Sequence, residues 1–481
     1  MASEIRVNKI ENRSGLGTVT FADTGVDLAG IVTATTFSGS GASLTNVPDS
    51  ALSAVTASKL SGALPAISAA SLTNVPAANV VGVHTSLTVT NATTTGTVVV
   101  GGGVTISESG IEASGIGITV ANINGTQIGG RRNLVINGAM TVAQRGTPTA
   151  SGSYTTAAYG ACDRWKLEAN STDQADFVIS QESDAPTGSG FNKSIKIKTN
   201  TAETSLDSNE ILHVSQPIEA QDLQHLKNGT SSALPITLSF WVKSYQTGTY
   251  VVTVYKPDNT QRQISATYTI SASNTWEFKT MTFPGDTSGS GIANDTGTGF
   301  QIYWLLAAGT DFTGTTNTSW ANYANGGFAN GQSVNIMSST DNYFYLTGAQ
   351  LEIGTQATAF EHRSFGEELS LCQRYFFRHS GDSGTYSNAI GFSNGSSSAS
   401  FVYNFPNTMR ALPSLTLVGT FRAQGGPTDS ASFTSGLAVN TGSNTNYCRL
   451  QLTGSSGMTA GDGYILQFYG GNANLNWDAE L

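Results

Sequence analysis

Short runs in which hydrophobic and polar residues alternate fill the middle of the chain. The clearest of them are SIKIKT (194–199), ITLSFWVKS (236–244), YVVTVYK (250–256), ATYTIS (266–271) and FQIYWLLAA (300–308). Turn-forming clusters such as KPDNT and FPGDTSGSG separate these runs. Alternation with a period of two, carried by β-branched and aromatic residues, predicts β-strands. Many short strands joined by Gly- and Pro-containing turns favour a β-sandwich.

Further runs of the same kind follow residue 377, namely SFVYNF, SLTLVG, YCRLQL and YILQFYG. They predict a second, smaller β-domain over residues 378–481. Just before it, YFYLTGAQLEIG alternates around Gly348, which predicts a strand with a bulge or turn.

One short helix is predicted between the two sets of strands. Ser364 followed by Glu367 forms a capping box, in which each side chain can bond the other residue's amide. An apolar stripe at i, i+3 and i+7 follows, made of Leu369, Cys372 and Phe376. A β-domain therefore ends here, and a helix leads to the next one.

Residues 14–130 have a different character. They hold six charged residues, and their only aromatic residues are Phe21 and Phe37. A single chain of small residues buries too little apolar area to offset its conformational entropy. Val- and Ile-rich runs such as TVVVGGGVTI, and the hexapeptide SLTNVP repeated at 43–48 and 71–76, predict a thin shaft of three intertwined chains. The alternative is a flexible Gly/Ser/Thr linker.

Composition supports an all-β, turn-rich protein. Charged residues make up 12% of the 481 residues, hydrophobic residues 38%, and there are 54 glycines. The net charge of −10 argues against binding to duplex nucleic acid, which needs clustered Lys and Arg. No basic run exceeds Arg131-Arg132, and no 18-residue apolar run occurs, so neither membrane binding nor membrane insertion is expected. The N-terminus lacks the apolar segment of a signal peptide. The three cysteines, Cys162, Cys372 and Cys448, are expected to be buried free thiols.

Several longer motifs resemble a known module. NLVINGAMTVAQRG (133–146) and CDRWKLE (162–168) are followed, about 180 residues later, by QLEIG, ATAFEHR and EELSLCQRYF. This order resembles the β-sandwich module of phage tail fibre proteins, and GIVTATTFSGSGASLTNVP resembles shaft segments of cyanophage fibres. The resemblance implies a virion-attachment end at 1–30, a trimeric shaft at 31–130, a jelly-roll-like sandwich at 131–377, similar to carbohydrate-binding modules, and a distal tip at 378–481.

The same resemblance implies a function. A tail fibre is made in the host cytoplasm and becomes part of the virion. It would be a homotrimer, dock on other virion proteins through its N-terminus, and bind a host cell-surface glycan such as lipopolysaccharide. Two alternatives stay open: a structural neck or head fibre that binds no receptor, and a polysaccharide depolymerase.

Candidate ligand contacts are aromatic residues in polar loops. The segment 309–332 mixes aromatic residues with Asn and Asp, a combination that suits sugar binding. Two further aromatic residues belong to the predicted tip. The expected contacts are Trp320, Tyr323, Phe328, Tyr447 and Trp477. The alternative for Trp320 is that it plugs one end of the sandwich.

No catalytic or metal site is predicted. The local acidic pairs, Glu352/Glu361 and Glu367/Glu368, fall within the module's motifs, where a structural role is expected. The five histidines show no ligand spacing, and Gly101–Gly103 fits a tight turn better than a phosphate loop. Residues 172–176 and 294–295 are rich in Asn and Asp but lack the spaced acidic ligands of a calcium loop. No cofactor is expected, and the protein is predicted to be non-enzymatic.

Overall fold

A computed structural model describes residues 131–146, 158–170, 175–314, 318–425 and 429–481, together with six short strands and a few isolated positions nearer the N-terminus. The chain divides into two compact units, Met1–Glu112 and Ala113–Leu481.

The N-terminal strands form two small antiparallel sheets. The first contains β1 (Lys9–Glu11), β2 (Thr18–Ala22) and β3 (Gly25–Leu28), and the second β4 (Val98–Val100), β5 (Val104–Ser107) and β6 (Gly110–Ala113). β4 pairs with β5 so that Val100 lies opposite Val104. The tight turn predicted at Gly101–Gly103 lies outside the described residues. Both copies of SLTNVP and most of the predicted shaft lie outside the described residues. The boundaries proposed at residues 30, 130 and 377 stay predictions.

In the described part of the second unit, the regular secondary structure is mostly antiparallel strand. Before its helix they are β7 (Ala158–Tyr159), β8 (Lys166–Asn170), β9 (Asp176–Glu182), β10 (Ser194–Thr201), β11 (Ile211–Glu219), β12 (Ile236–Ser244), β13 (Gly248–Lys256), β14 (Arg262–Ile270), β15 (Glu277–Phe283), β16 (Thr298–Ala308), β17 (Ala321–Asn322) and β18 (Tyr343–Ile353). Helix α1 (Phe365–Gln373) is followed by β19 (Phe376–Gly381), β20 (Tyr386–Gly395), β21 (Ser398–Asn404), β22 (Ser414–Val418), β23 (Phe421–Gln424), β24 (Ser430–Phe433), β25 (Leu437–Val439), β26 (Tyr447–Thr453), β27 (Gly463–Phe468) and β28 (Ala473–Asp478).

Two sheets pack face to face in the first half of this unit. One has the order β15-β12-β18-β10-β9, and the other β17-β14-β13-β16-β11-β8-β7. Alternate residues of each strand enter the core between them, such as Tyr250, Val252 and Val254 of β13. At its centre the rings of Trp165 and Trp304 lie 5.3 Å apart. The prediction of an all-β sandwich is confirmed.

The bulge predicted around Gly348 is present. The pairing of β12 with β18 shifts register between Ser239 and Trp241. Gly348 itself has a φ of +62°, and a Cβ at this position would lie 2.7 Å from the ring of Phe191. Glycine is therefore required both by the backbone conformation and by the close ring.

Helix α1 begins as predicted but is shorter than its apolar stripe. The Ser364 hydroxyl accepts a hydrogen bond from the Glu367 amide at 3.3 Å. The Glu367 carboxylate lies 3.8 Å from Arg131, which corrects the expectation that it closes the capping box. The helix ends at Gln373, so Phe376 belongs to β19. The buried residues of the helix are Glu368 and Cys372. The Glu368 carboxylate is buried because it accepts a hydrogen bond from the backbone amide of Asn137, in the segment 131–146.

The C-terminal strands form a second pair of sheets. One has the order β19-β28-β22, and the other β24-β23-β27-β20-β21-β26-β25. They enclose a separate hydrophobic core that includes Tyr403, Phe421, Phe468 and Trp477. This part contacts the first sandwich directly, since Arg410 donates to the Thr296 carbonyl oxygen at 2.8 Å.

The three cysteines are buried and free. In the part of the chain that the structure describes, no helix is both long and apolar enough to cross a membrane.

Candidate functional site

The outer face of the seven-stranded sheet carries a second, smaller hydrophobic cluster. Because strand residues alternate between the two faces, the neighbours of core-facing positions point outward. On β13 these are Val251 and Tyr255, and on β16 they are Tyr303 and Leu305. Together with Phe328 they form an apolar surface on the side of the sheet that faces away from the main core.

The described residues of the segment 309–332, which are 309–314 and 318–332, cover part of this surface and are tied to the sheet by hydrogen bonds. Gln263 of β14 donates to the Ala324 carbonyl oxygen at 2.9 Å. The Val251 amide donates to the Gln332 side chain, also at 2.9 Å. These bonds place the aromatic residues of the segment against the outward-facing residues of the sheet.

A groove lies between the segment and the sheet and encloses about 250 Å³. It is an open, shallow depression rather than a deep cavity, which suits a ligand that lies across the surface. Its lining comprises Glu168, Asn170, Ile211, His213, Tyr255, Gln261, Tyr303, Phe312, Tyr323 and Phe328.

The aromatic rings of the groove are held by contacts with one another. The rings of Tyr255 and Tyr323 lie 5.1 Å apart at 56°, and those of Tyr303 and Phe328 lie 4.8 Å apart at 69°. Tyr323 is 36% exposed and Tyr255 is half-buried, whereas Tyr303 and Phe328 are buried. Tyr255 and Tyr323 therefore offer the accessible ring surface, and the other two support them.

The polar residues of the groove centre on one carboxylate. Oε1 of Glu168 pairs with Lys166 Nζ at 3.0 Å. Oε2 accepts from the Ser215 hydroxyl and from Gln301 Nε2, each at 3.2 Å. Burial, together with the nearby Glu168, raises the pKa of Tyr303, so its phenol stays protonated.

His213 is the least exposed polar residue of the lining. Its side chain stands edge-on to the Tyr303 ring, with the ring centroids 4.7 Å apart. Nδ1 is buried without a hydrogen-bond partner and lies 3.6 Å from Oε2 of Glu168. Burial lowers the pKa of His213 to about 4, with Lys166 adding to the shift and Glu168 opposing it. The imidazole is therefore neutral at pH 7.

This burial predicts an acid-sensitive contribution to stability. The unfolded chain takes up a proton on His213 near pH 6.5, and the folded chain only near pH 4. Between these values the unfolded state binds more protons, so stability falls as the pH falls, by up to about 3 kcal/mol. Urea unfolding at pH 7 and pH 4.5 should show that the free energy of unfolding falls less in His213→Gln than in the wild type. The exposed His362 provides the control, because the free energy of unfolding of His362→Gln should fall by as much as that of the wild type. An equal fall in all three proteins would contradict the prediction.

The residues predicted in the segment 309–332 take two different roles. Tyr323 and Phe328 line the groove. Trp320 instead stacks on Phe300, with ring centroids 5.8 Å apart, and its Nε1 donates to the Pro284 carbonyl oxygen at 2.7 Å. Because it packs against the main core, Trp320 takes the plugging role that had been its alternative.

The two residues predicted in the distal domain are not brought to this groove. Tyr447 is 37% exposed and lies on β26 of the distal domain. Trp477 has no exposed surface and packs with its ring centroid 4.8 Å from that of Tyr403. A ligand cannot reach a fully buried ring, so the assignment of Trp477 as a contact is corrected to a core role.

The lining residues that sequence reasoning missed include Glu168, His213, Tyr255 and Tyr303. All four lie on strands, whereas the predicted contacts were aromatic residues of polar loops. The alternation in YVVTVYK and FQIYWLLAA does mark Tyr255 and Tyr303 as lying opposite the core-facing residues. Only the position of the covering segment shows that this outer face is a groove.

The acidic residues of the module's motifs have structural contacts. Glu352 accepts from the Thr358 amide at 2.8 Å and from the Thr358 hydroxyl at 2.6 Å. Glu361 accepts from the amides of Arg132 and Asn133 at 3.0 and 2.7 Å. Glu361 therefore ties residues 132–133 to the end of the first sandwich, whereas the bonds of Glu352 are local.

Among the described residues, no group of three or more His, Cys, Asp or Glu is arranged to hold a metal ion. Of the two loops considered for calcium, residues 171–174 lie outside the described part. In the other, Asp295 closes a turn by accepting from the Gly297 amide at 2.8 Å.

Comparison with known proteins shows distant structural likenesses only. No protein-family model matches the chain, and no curated protein matches it. The enzymatically active domain of tailspike protein 4 from bacteriophage CBA120 shares 12% identity at a TM-score of 0.25, over 46% of this chain but only 21% of that one. A family 11 carbohydrate-binding module from a Clostridium thermocellum cellulase shares 11% identity at a TM-score of 0.22, over 42% of this chain and 91% of the module. A family 61 carbohydrate-binding module solved with β-1,4-galactotriose shares 9% identity at a TM-score of 0.22, over 46% of this chain and 99% of the module. Likenesses this distant carry no argument about function, so the groove is judged on its own geometry.

Proposed function

We propose that the groove on the outer face of the seven-stranded sheet binds a glycan, and that the protein is a non-enzymatic, homotrimeric phage tail fibre that attaches to glycans of the host surface. The observation that carries glycan binding is the pair of accessible tyrosine rings beside a polar rim. Tyr255 and Tyr323 offer ring faces on which the apolar face of a sugar can pack. Glu168, Asn170 and Gln261 offer hydrogen-bonding groups to its hydroxyls.

The charge of the lining supports binding rather than hydrolysis. Glycosidases of the usual kind need two carboxyl groups on either side of the scissile bond. Among the described residues that line the groove, Glu168 is the only carboxylate. One carboxylate with two aromatic rings suits recognition, and a shallow site of this size gives modest affinity.

The role in the virion rests on the resemblance of the sequence motifs to the tail fibre module. A homotrimer would present three grooves, and several fibres on one particle would multiply them. Linked weak sites can exceed the affinity of a single site by factors of about 10² to 10⁴. Firm attachment to a host surface would follow from this avidity without a deep pocket.

Removing the accessible rings should weaken binding while leaving the fold intact. A stacked aromatic ring contributes about 0.5–1.5 kcal/mol beyond its buried area. We expect Tyr255→Ala and Tyr323→Ala each to weaken binding to purified host-surface polysaccharide by about tenfold, and the double variant by about a hundredfold. Isothermal titration calorimetry on the full chain measures this, and inhibition of phage adsorption by the same proteins links it to attachment.

Tyr245→Ala is the matched control, because Tyr245 is 46% exposed and is not among the lining residues. Unchanged binding by the double variant would remove the groove as the site. No binding by folded wild-type protein to polysaccharide from any host of the phage would leave the structural fibre. Release of reducing ends from bound polysaccharide would favour the depolymerase.

A further inference from the structure

The charges around the groove bear on which glycans it accepts. Among its described lining residues, Glu168 is the only one with a formal charge at pH 7, and no Lys or Arg lines it. The nearest cation, Lys166, is already paired with Oε1 of Glu168 and lies beside the Tyr159 ring. A ligand carboxylate or sulfate that loses its water needs a cationic partner, since an unpaired charge is costly to desolvate.

The hydrogen-bonding groups at the floor of the groove suit an uncharged hydroxyl. Oε2 of Glu168 can accept a hydrogen bond from such a group in addition to those from Ser215 and Gln301. His213 is 3% exposed, and its Nδ1 is buried without a hydrogen-bond partner in the described structure. The 3.6 Å between the two atoms is too long for a direct hydrogen bond. Oε2 is therefore not bonded to His213, and it stays able to accept a hydrogen bond from a sugar hydroxyl.

The imidazole does not supply the missing cation. It is packed against the rings of Tyr303 and Phe328, and burial keeps it neutral at pH 7. An anionic sugar in the groove would therefore meet a carboxylate that is already paired with Lys166 and a neutral ring, with no Lys or Arg among the described lining residues to bind it.

We infer that the groove selects neutral glycans over acidic ones, and that Glu168 is the specificity-determining residue, accepting a hydrogen bond from a sugar hydroxyl through Oε2. This inference rests on the proposed glycan-binding function and narrows its ligand class. It favours the neutral part of a cell-surface polysaccharide over stretches rich in uronic acid, phosphate or sulfate.

Calorimetric titration of the full-length wild type with a defined panel tests the inference. The neutral probes are soluble β-1,3-1,4-glucan, mannan and galactan, and the acidic probes are polygalacturonate, alginate and sulfated galactan. All titrations are made at about 0.15 M salt, so that charge screening is the same for every probe. We expect the tightest neutral probe to bind at least about tenfold more tightly than any acidic probe. In Glu168→Gln, which retains hydrogen-bonding atoms but loses the charge, this preference should fall below about threefold.

Asp341→Asn is the matched control, because it removes one negative charge at an exposed position before β18. It should leave the wild-type preference unchanged. Acidic probes that bind the wild type as tightly as neutral ones would overturn the inference and leave the glycan-binding function standing. A tenfold preference that persists in folded Glu168→Gln would overturn the role of Glu168. If the folded wild type binds neither the probes nor host polysaccharide, the proposed glycan-binding function itself is overturned.

Discussion

Glu480→Ala should lower the free energy of unfolding by about 3–5 kcal/mol, because it leaves a buried arginine without its carboxylate partner. Glu480 pairs with Arg164, and the two side chains are only 4% and 1% exposed. It also pairs with Arg145 at 3.2 Å. Arg164 is further held by the Pro217 carbonyl oxygen at 2.7 Å and by the Tyr375 ring, 3.6 Å from its guanidinium carbon. Its position is therefore fixed, and it cannot move to water when Glu480 is removed.

Glu480→Ala should destabilise both sandwiches, because the ion pair joins them. Glu480 follows β28 of the distal domain, whereas Arg164 belongs to the first sandwich. Nearby, Tyr159 donates to the Leu481 carbonyl oxygen at 2.7 Å. Residues 479–481 thus join the two domains, and the variant should also separate their unfolding transitions.

Urea unfolding followed by tryptophan fluorescence measures this, since Trp165 and Trp477 lie in different cores. Glu367→Ala is the control, because Glu367 and Arg131 form an exposed pair at 3.8 Å with about half of each side chain in solvent. Such pairs contribute about 0–1 kcal/mol. If Glu480→Ala costs no more than this control, the buried pair does not stabilise the fold as described.

Asn137→Ala should destabilise the first sandwich by about 4–6 kcal/mol. The Asn137 amide group donates to the carbonyl oxygens of Val142 and Asp163 at 2.8 and 2.9 Å, and its oxygen accepts from the Val142 amide at 3.0 Å. Each buried group left without a partner costs about 1–3 kcal/mol. Asn137 also has a φ of +57°, where alanine costs about 1–2 kcal/mol more than the usual conformation.

Asn259→Ala separates these causes. Asn259 has a φ of +52° and donates one hydrogen bond, to the Gly291 carbonyl oxygen, but it is exposed. Its replacement should therefore cost no more than about 2 kcal/mol. The difference between the two variants in denaturant midpoint, at equal slope, reports the buried hydrogen bonds. Equal losses would show that backbone conformation alone matters at both sites.

Asn137 also shows what the sequence motifs do in this fold. Its own amide donates to Glu368 Oε1 at 2.5 Å, and its carbonyl oxygen accepts from Trp165 Nε1 at 3.0 Å. The opening motif, the DRW motif and the closing helix thus meet at one buried residue. They hold the start, the first strands and the end of the sandwich together, which is a structural role.

Local alternation was enough to predict the main strands of the sandwich. ITLSFWVKS coincides with β12, and FQIYWLLAA lies within β16. The bulge at Gly348 and the start of α1 were also predicted, because glycine conformation and helix capping depend on neighbouring residues. The stripe through Phe376 failed for a tertiary reason: Phe376 pairs with Asp478 in a sheet formed with β28, about 100 residues later.

By itself, the sequence determined the all-β class, most strands and the candidates Tyr323 and Phe328, because these depend on residue type and on a period of two. Only the tertiary structure decided that Trp320 and Trp477 are packing residues, and that Glu168 and His213 lie beside Tyr323. Strands far apart in the chain pair side by side, so residues 168, 213, 255 and 303 meet through register that no local pattern encodes. The chain thus carries the parts of the groove, and the pairing of distant strands assembles them.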